Sequence, residues 1–158
     1  MANNFILIVD NDPEVLAYYW QLFEGDNGSQ FDVLGESSPR QPRLRCYRLA
    51  DSTKFVEMFE GMVRADQRYP LCIIDLEMED ENGRLNKRRG LQTARRVREI
   101  DPEIHIVICT AHGDVGLEEV QEHVAGSAHY FRLPFSPEQE TEFCLMIHGL
   151  VDEWNGRS

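Results

Sequence analysis

Phe5–Glu14 reads FILIVDNDPE. Five apolar residues run without a break into Asp10, Asn11 and Asp12, and then into Pro13-Glu14. A short, continuous apolar run bounded by polar residues is the pattern of a strand buried on both faces, as strands of a parallel sheet are. Asp12-Pro13-Glu14 is the pattern of a helix start. Asp stands at the cap, Pro at the first helical position and Glu in the first turn. The stretch therefore predicts a strand that passes directly into a helix, with a cluster of acidic and amide side chains at the junction.

The same unit recurs along the chain. Leu44–Leu49, Leu71–Ile74, Ile104–Cys109 and Ala128–Arg132 predict four more strands. Helices are expected from Asp12 to about Glu24, from Asp51 or Ser52 to near Ala65, over Arg89–Ile100, and from about Asp114 to Ala125. Ser136-Pro137-Glu138-Gln139 has the form of a capping box and starts a last helix that runs to about Trp154. Along it Phe143, Ile147, Leu150 and Trp154 recur at helical spacing, a stripe for the core. Five βα units with short crossovers predict an α/β fold, doubly wound, with a mostly parallel sheet between two layers of helices. Two segments interrupt the rhythm. Residues 25–43 are rich in Gly, Ser and Pro, and Phe31–Leu34 within them could add a short strand; residues 78–88 are polar and heavily charged.

The 158 residues suit one domain spanning 1–158, with no internal boundary visible. The formal net charge of −12 argues against direct nucleic-acid binding and against adhesion to anionic membranes. No apolar run is long enough to span a bilayer, and the N-terminus has no signal-peptide pattern. The four cysteines, Cys46, Cys72, Cys109 and Cys144, form no CxxC pair, which fits reduced thiols in a cytoplasmic protein. The five histidines show no metal-ligand spacing.

In an open α/β sheet, ligands bind beyond the carboxyl ends of the strands, near the point where strand order reverses. The first strand delivers Asp10, Asn11 and Asp12 there, the third Asp75 followed by Glu77, and the fourth Thr110 followed by Ala111. In the common order 2-1-3-4-5 these three strands are neighbours, so Asp10, Asp75 and Thr110 are expected in one cleft. Converging carboxylates need a cation, and hard oxygen ligands suit Mg²⁺. An aspartate so placed can act as a nucleophile and carry an acyl phosphate.

This constellation resembles the receiver domain of two-component response regulators, the CheY-like family with its flavodoxin-like (βα)5 sandwich. The resemblance runs from about Phe5 to Trp154. It is carried by ILIVDNDPEV (Ile6–Val15), LCIIDLEM (Leu71–Met78), IVICTAHGD (Ile106–Asp114) and GSAHYFRLPFSPE (Gly126–Glu138). It implies that Asp75 is the phosphoacceptor, and that Asp10, Asn11, Asp75 and the backbone carbonyl of Glu77 hold Mg²⁺. Thr110 and Tyr130 are then the switch pair, with Ala111 the small residue beside the phosphate. The implied partner is a histidine kinase or a phosphotransfer protein, and the implied output is a change in the face made by the fourth helix, fifth strand and fifth helix. Dimerisation through that face is also what the resemblance suggests. The chain is expected either to stand alone or to lead, through its last helix, into an effector domain outside these 158 residues.

Two positions depart from the family pattern. Asn11 stands where a second acid is usual, and Leu133 stands where a lysine is usual. Arg132 is no substitute, because alternate residues of a strand point to opposite faces. A basic side chain from the cluster Arg84, Lys87, Arg88 and Arg89 is one candidate to replace the lysine. The alternative is a solvated basic face that continues through Arg95, Arg96 and Arg98. The loss of the second acid predicts weak Mg²⁺ affinity, relieved by Asn11→Asp. Two further readings stand beside the receiver. One is a pseudo-receiver that keeps the fold as a binding module without phosphorylation, motivated by Asn11 and Leu133. The other is a haloacid-dehalogenase-like phosphohydrolase, with Asp10 as nucleophile and Asp12 as general acid and base. That family also needs a lysine and a further acidic pair at later strand ends, and neither follows Thr110.

Overall fold

In the computed structural model of the chain, the described residues are 5–10, 12–24, 43–47, 52–79, 82–86, 88–111, 115–126 and 128–156. FILIV forms strand β1 (Phe5–Val9), and helix α1 (Pro13–Glu24) follows. The remaining elements are β2 (Arg43–Tyr47), α2 (Ser52–Arg64), β3 (Leu71–Ile74), β4 (Met78–Glu79), β5 (Leu85–Asn86), α3 (Arg89–Ile100), β6 (His105–Thr110), α4 (Leu117–His123), β7 (Ala128–Arg132) and α5 (Pro137–Gly156).

Five strands form one parallel sheet in the order β2-β1-β3-β6-β7. This is the expected 2-1-3-4-5 order of a doubly wound α/β fold. The apolar runs are continuous because both faces of the sheet are covered. Leu7, Val9, Cys72, Ile74, Ile106 and Ile108 face α2, α3 and α4, where Phe55, Phe59, Leu91, Val97 and Val120 pack. Their neighbours Ile6, Ile8, Leu71, Ile73, Val107 and Cys109 face α1 and α5, against Tyr19, Phe23, Phe143 and Ile147. Strand residues thus alternate between two cores. Burying one such side chain contributes about 1.5–3 kcal/mol. Phe143 is the hub of the second core: its ring lies within 4.9–6.2 Å of Phe135, Phe131, Phe23 and Tyr19.

Several boundaries differ from expectation. β2 begins at Arg43 rather than Leu44, with residues 48 and 49 outside the described residues, and β6 begins at His105 rather than Ile104. Helix α4 is shorter than expected, because Gly116 and Val124 on either side are both extended. Helix α5 continues past Trp154 to Gly156. The charged segment 78–88 is not wholly irregular. Within it β4 and β5 pair antiparallel, Met78 with Asn86 and Glu79 with Leu85. The candidate strand at 31–34 lies outside the described residues. Among the described residues no helix is long and apolar enough to cross a membrane.

Arg98 departs from the solvated basic face that the run of arginines suggested. It is only 8% exposed, and its guanidinium donates to the carbonyls of Pro102 (2.9 Å) and Ile104. Its neighbours Arg95 and Arg96 do remain on the surface, paired with Glu99.

Candidate functional site

The site is assembled by main-chain bonds between strand ends. The Asp75 amide donates to the Val9 carbonyl (3.1 Å), so Asp75 emerges beside Asp10. The Leu133 amide donates to the Thr110 carbonyl (2.9 Å), which holds the end of β7 beside the end of β6. The Gly90 amide donates to the Leu76 carbonyl (2.9 Å), so the first turn of α3 rests on the segment just after Asp75. Gly90 is required there: a Cβ would overlap the Asp75 carbonyl oxygen and the Leu76 Cα.

The first turn of α1 is built from acids with distinct jobs. Asp10 is 2% exposed, and its Oδ1 accepts from the Asp12 amide at 2.8 Å. Asp12 is exposed, and its Oδ1 accepts from the Glu14 amide at 2.9 Å while its carbonyl accepts from the Leu16 amide at 3.1 Å. Asp12 is therefore the cap of α1. Asn11 lies outside the described residues.

These elements enclose a cleft of about 270 Å³ at the carboxyl ends of β1 and β3. Among the described residues, four carboxylate residues line it: Asp10, Asp12, Asp75 and Glu77. Val15, Leu85, Ala111 and Leu133 supply the apolar part of the wall. Thr110 is fully buried at the end of β6, next to Ala111. Tyr130 is half-buried on β7, packed against the core on the α4 side. Beneath the acidic pair lie Tyr19 and Cys109. Burial first, then Cys109 and the Asp10 and Asp75 carboxylates, holds the Tyr19 phenol well above its usual range.

Leu133 lines the cleft and Arg132, exposed at the end of β7, is not among the described residues that do. Of the basic cluster proposed to replace the lysine, Lys87 lies outside the described residues, Arg84 is not among the described residues lining the cleft, and Arg88 and Arg89 have partners elsewhere. Arg88 forms an ion pair with Glu119 of α4. Arg89 donates to Gln92 (3.0 Å) and to Thr53 of α2 (3.1 Å). Neither is among the described residues lining the cleft. Two lining residues, Val15 and Leu85, went unread in the sequence. Val15 follows from its place in the first turn of α1. Leu85 had no signal, since it is one apolar residue in a charged segment.

The donor set suits a hard cation. Among the described residues no three His, Cys, Asp or Glu side chains are grouped tightly enough to hold a metal alone. Mg²⁺ does not need such a cage, because it binds through one or two carboxylates and keeps several waters. Asp10 and Asp75 are two such carboxylates, both lining the cleft.

By sequence, no family model and no curated protein matches the chain. Solved structures do. A CheY-like response regulator receiver domain from Methanospirillum hungatei JF-1 aligns with a TM-score of 0.63 at 16% identity, covering 98% of each chain. A response regulator receiver domain from Clostridium thermocellum aligns with a TM-score of 0.63 at 16% identity, covering 99% of this chain and 100% of that one. A BeF3-activated DrrB receiver domain aligns with a TM-score of 0.58 at 15% identity, covering 94% of this chain and 97% of that one. With its strand order, its two helical layers and its acidic cleft at the carboxyl ends of the strands, the chain has the fold of the response-regulator receiver domains.

Proposed function

We propose that this chain is a receiver domain in phosphorelay signalling, and that Asp75 accepts a phosphoryl group from a histidine kinase or phosphotransfer protein. The observation that carries this reading is the meeting of Asp10 and Asp75 in one cleft, with Thr110 buried at the adjoining strand end. Asp10, Asn11, Asp75 and the carbonyl of Glu77 would hold Mg²⁺. When bound, the metal offsets the negative charge that two carboxylates and a phosphoryl group bring together.

Asp75 then acts as the nucleophile. A carboxylate oxygen forms a bond to phosphorus as the donor's bond to phosphorus breaks, leaving an acyl phosphate on Asp75. Positioning supplies much of the catalysis in such transfers. Here it comes from the main-chain bonds that fix Asp75 against β1 and Gly90 against Leu76. The Thr110 hydroxyl donates to the new phosphoryl oxygens, and Tyr130 on the neighbouring strand turns further inward. The face of α4, β7 and α5 is reshaped as a result. Leu117 on α4 and Leu145 on α5 are 46% and 69% exposed, which supports that face as the contact surface for a partner or a second copy.

The test is incubation with Mg²⁺ and acetyl phosphate, read by intact mass and peptide mapping. One phosphoryl group on Asp75, absent in Asp75→Asn, is the expected result. A second reading, the pseudo-receiver, is favoured by Leu133, which puts an apolar side chain in the cleft wall where the family carries a cation. Absence of labelling by small donors and by histidine kinases would select it. The phosphohydrolase reading predicts the label on Asp10 and an Asp12 free for proton transfer. The cap bond that the Asp12 carboxylate accepts from the Glu14 amide disfavours it.

A further inference from the structure

Leu85 is 59% exposed, yet it lines the acidic cleft together with Asp75, Glu77, Ala111 and Leu133. An apolar side chain among carboxylates gains nothing electrostatically, and its position is not an accident of a loose loop. Leu85 pairs with Glu79 in the β4–β5 hairpin, and the next pair, Met78 with Asn86, anchors the base. Met78 is fully buried in the core beside Leu76 and Leu91. The Asn86 Oδ1 accepts from the Arg88 amide at 2.8 Å, which ties the hairpin to the start of α3. The hairpin thus holds an aliphatic side chain at the mouth of the cleft, and Leu133 supplies another from β7.

We infer that Leu85, held by this hairpin, is a positioning residue that keeps water away from the phosphorylated Asp75 and so lengthens the life of the acyl phosphate. The inference rests on the receiver reading above. In the loss reaction a water oxygen forms a bond to phosphorus. The bond from phosphorus to the Asp75 carboxyl oxygen breaks, and its electron pair returns to the carboxylate. Phosphate leaves as dihydrogen phosphate, so atoms and charge balance. That water needs hydrogen-bond partners to hold it in line. Leu85 and Leu133 offer none, and they occupy part of the wall from which a polar side chain would do so.

The experiment compares the decay of the phosphorylated state in wild type, Leu85→Gln and Leu85→Met, each labelled with acetyl phosphate and Mg²⁺ and then freed of donor. Leu85→Gln should shorten the lifetime about tenfold, the effect of one well-placed hydrogen bond to water. Leu85→Met keeps an apolar side chain and should stay within about twofold of wild type. Beryllofluoride affinity reports the site without hydrolysis and should be the same in all three. An unchanged lifetime in Leu85→Gln, or an equal loss in Leu85→Met, overturns the inference and leaves the receiver reading intact. A fall in beryllofluoride affinity equal to the fall in lifetime also overturns it, because Leu85 would then shape the site rather than exclude water. Wild-type protein that takes no label overturns the receiver reading, and this inference with it.

Discussion

Gly90 and Asp75 touch through their main chains: the first turn of α3 lies so close to Asp75 that any Cβ at position 90 would overlap its carbonyl oxygen. The flexible part of a side chain is not what stands in the way, so the clash cannot be relieved by a rotamer change. Gly90→Ala must push α3 off the segment that carries Asp75. The expected cost is about 1–3 kcal/mol, the range for overpacking a filled interior, with weaker beryllofluoride binding. Gly149 in α5 is the control, since a Cβ there meets nothing within 4 Å. Gly149→Ala should stabilise by about 0.5–1 kcal/mol. Urea unfolding of both variants checks the contrast.

Asp12 separates the receiver reading from the phosphohydrolase reading. Its carboxylate caps α1 through the Glu14 amide. Asp12→Ala should cost about 1 kcal/mol of stability, the usual value for a lost cap, while labelling of Asp75 by acetyl phosphate persists. Asp12→Asn should recover most of the stability. Loss of all phosphoryl chemistry in the well-folded Asp12→Asn would instead favour an acid–base role.

The central strands were legible in the sequence because burial on both faces leaves only apolar residues in them. FILIV and LCII fall at the predicted bounds for that reason. Helix α3 was legible at both ends, with the polar Asp101-Pro102 closing it. The meeting of Asp10 and Asp75 was legible because strand order places the strand ends, whereas Thr110, expected in the same cleft, is fully buried and is not among the described residues that line it. The β4–β5 hairpin was not: two-residue strands have no periodicity, and their pairing depends on Met78 finding the core. The fates of the arginines were hidden for a related reason. Arg88 meets Glu119, thirty-one positions away, and Arg98 meets carbonyls beyond its own helix. A run of positive charge in sequence does not say which member is buried.

Leu133 should be the position at which a cation restores what the family pattern has. It lines the cleft with Asp75, so the ammonium of Leu133→Lys would face the proposed phosphoryl site. Beryllofluoride should bind about tenfold more tightly, as expected for one charge-assisted hydrogen bond. The gain should shrink in high salt. Arg132→Ala is the control and should leave affinity unchanged, because Arg132 is exposed at the end of β7. If the control loses affinity, Arg132 rather than position 133 serves the anion.

Alkaline pH should unfold this chain by an identifiable route. Burial pushes the Cys109 thiol from 9.0 up to about 12, with the neighbouring Tyr19 hydroxyl opposing the rise and Asp75 and Asp10 adding to it. Burial raises Cys72 and Tyr19 as well. These groups stay protonated in the folded state after their unfolded counterparts have lost the proton. The unfolded chain therefore binds fewer protons, and stability falls as pH rises. The loss starts near the unfolded thiol value of 9.0 and continues through about 12. Urea midpoints measured across this window should fall steadily, and less steeply in Cys109→Ala than in wild type. Parallel slopes for the two proteins would mean that Cys109 ionises equally in both states.

Arg98 is the residue whose removal should expose how the last turn of α3 is joined to β6. Its guanidinium donates to two carbonyls in the turn that links them, Pro102 and Ile104, and burial lowers its pKa while Asp101 counteracts the shift. At Gly126, whose φ is +83°, an added Cβ would lie 3.4 Å from the Arg98 Nε. Arg98→Leu keeps much of the aliphatic packing but leaves both carbonyls without this donor. The Ile104 carbonyl is buried, and at about 1–3 kcal/mol for a buried group left unsatisfied the loss should be clearly measurable, with the exposed Pro102 carbonyl adding less. Arg98→Lys keeps the charge but lacks the planar fork that serves two acceptors, so it should fall between Leu and wild type. Gly126→Ala should cost less than Arg98→Leu, through strain at positive φ. Urea unfolding gives this ranking directly. If Arg98→Leu were as stable as wild type, water would be replacing the guanidinium, and the buried arginine would not be what fastens α3 to β6.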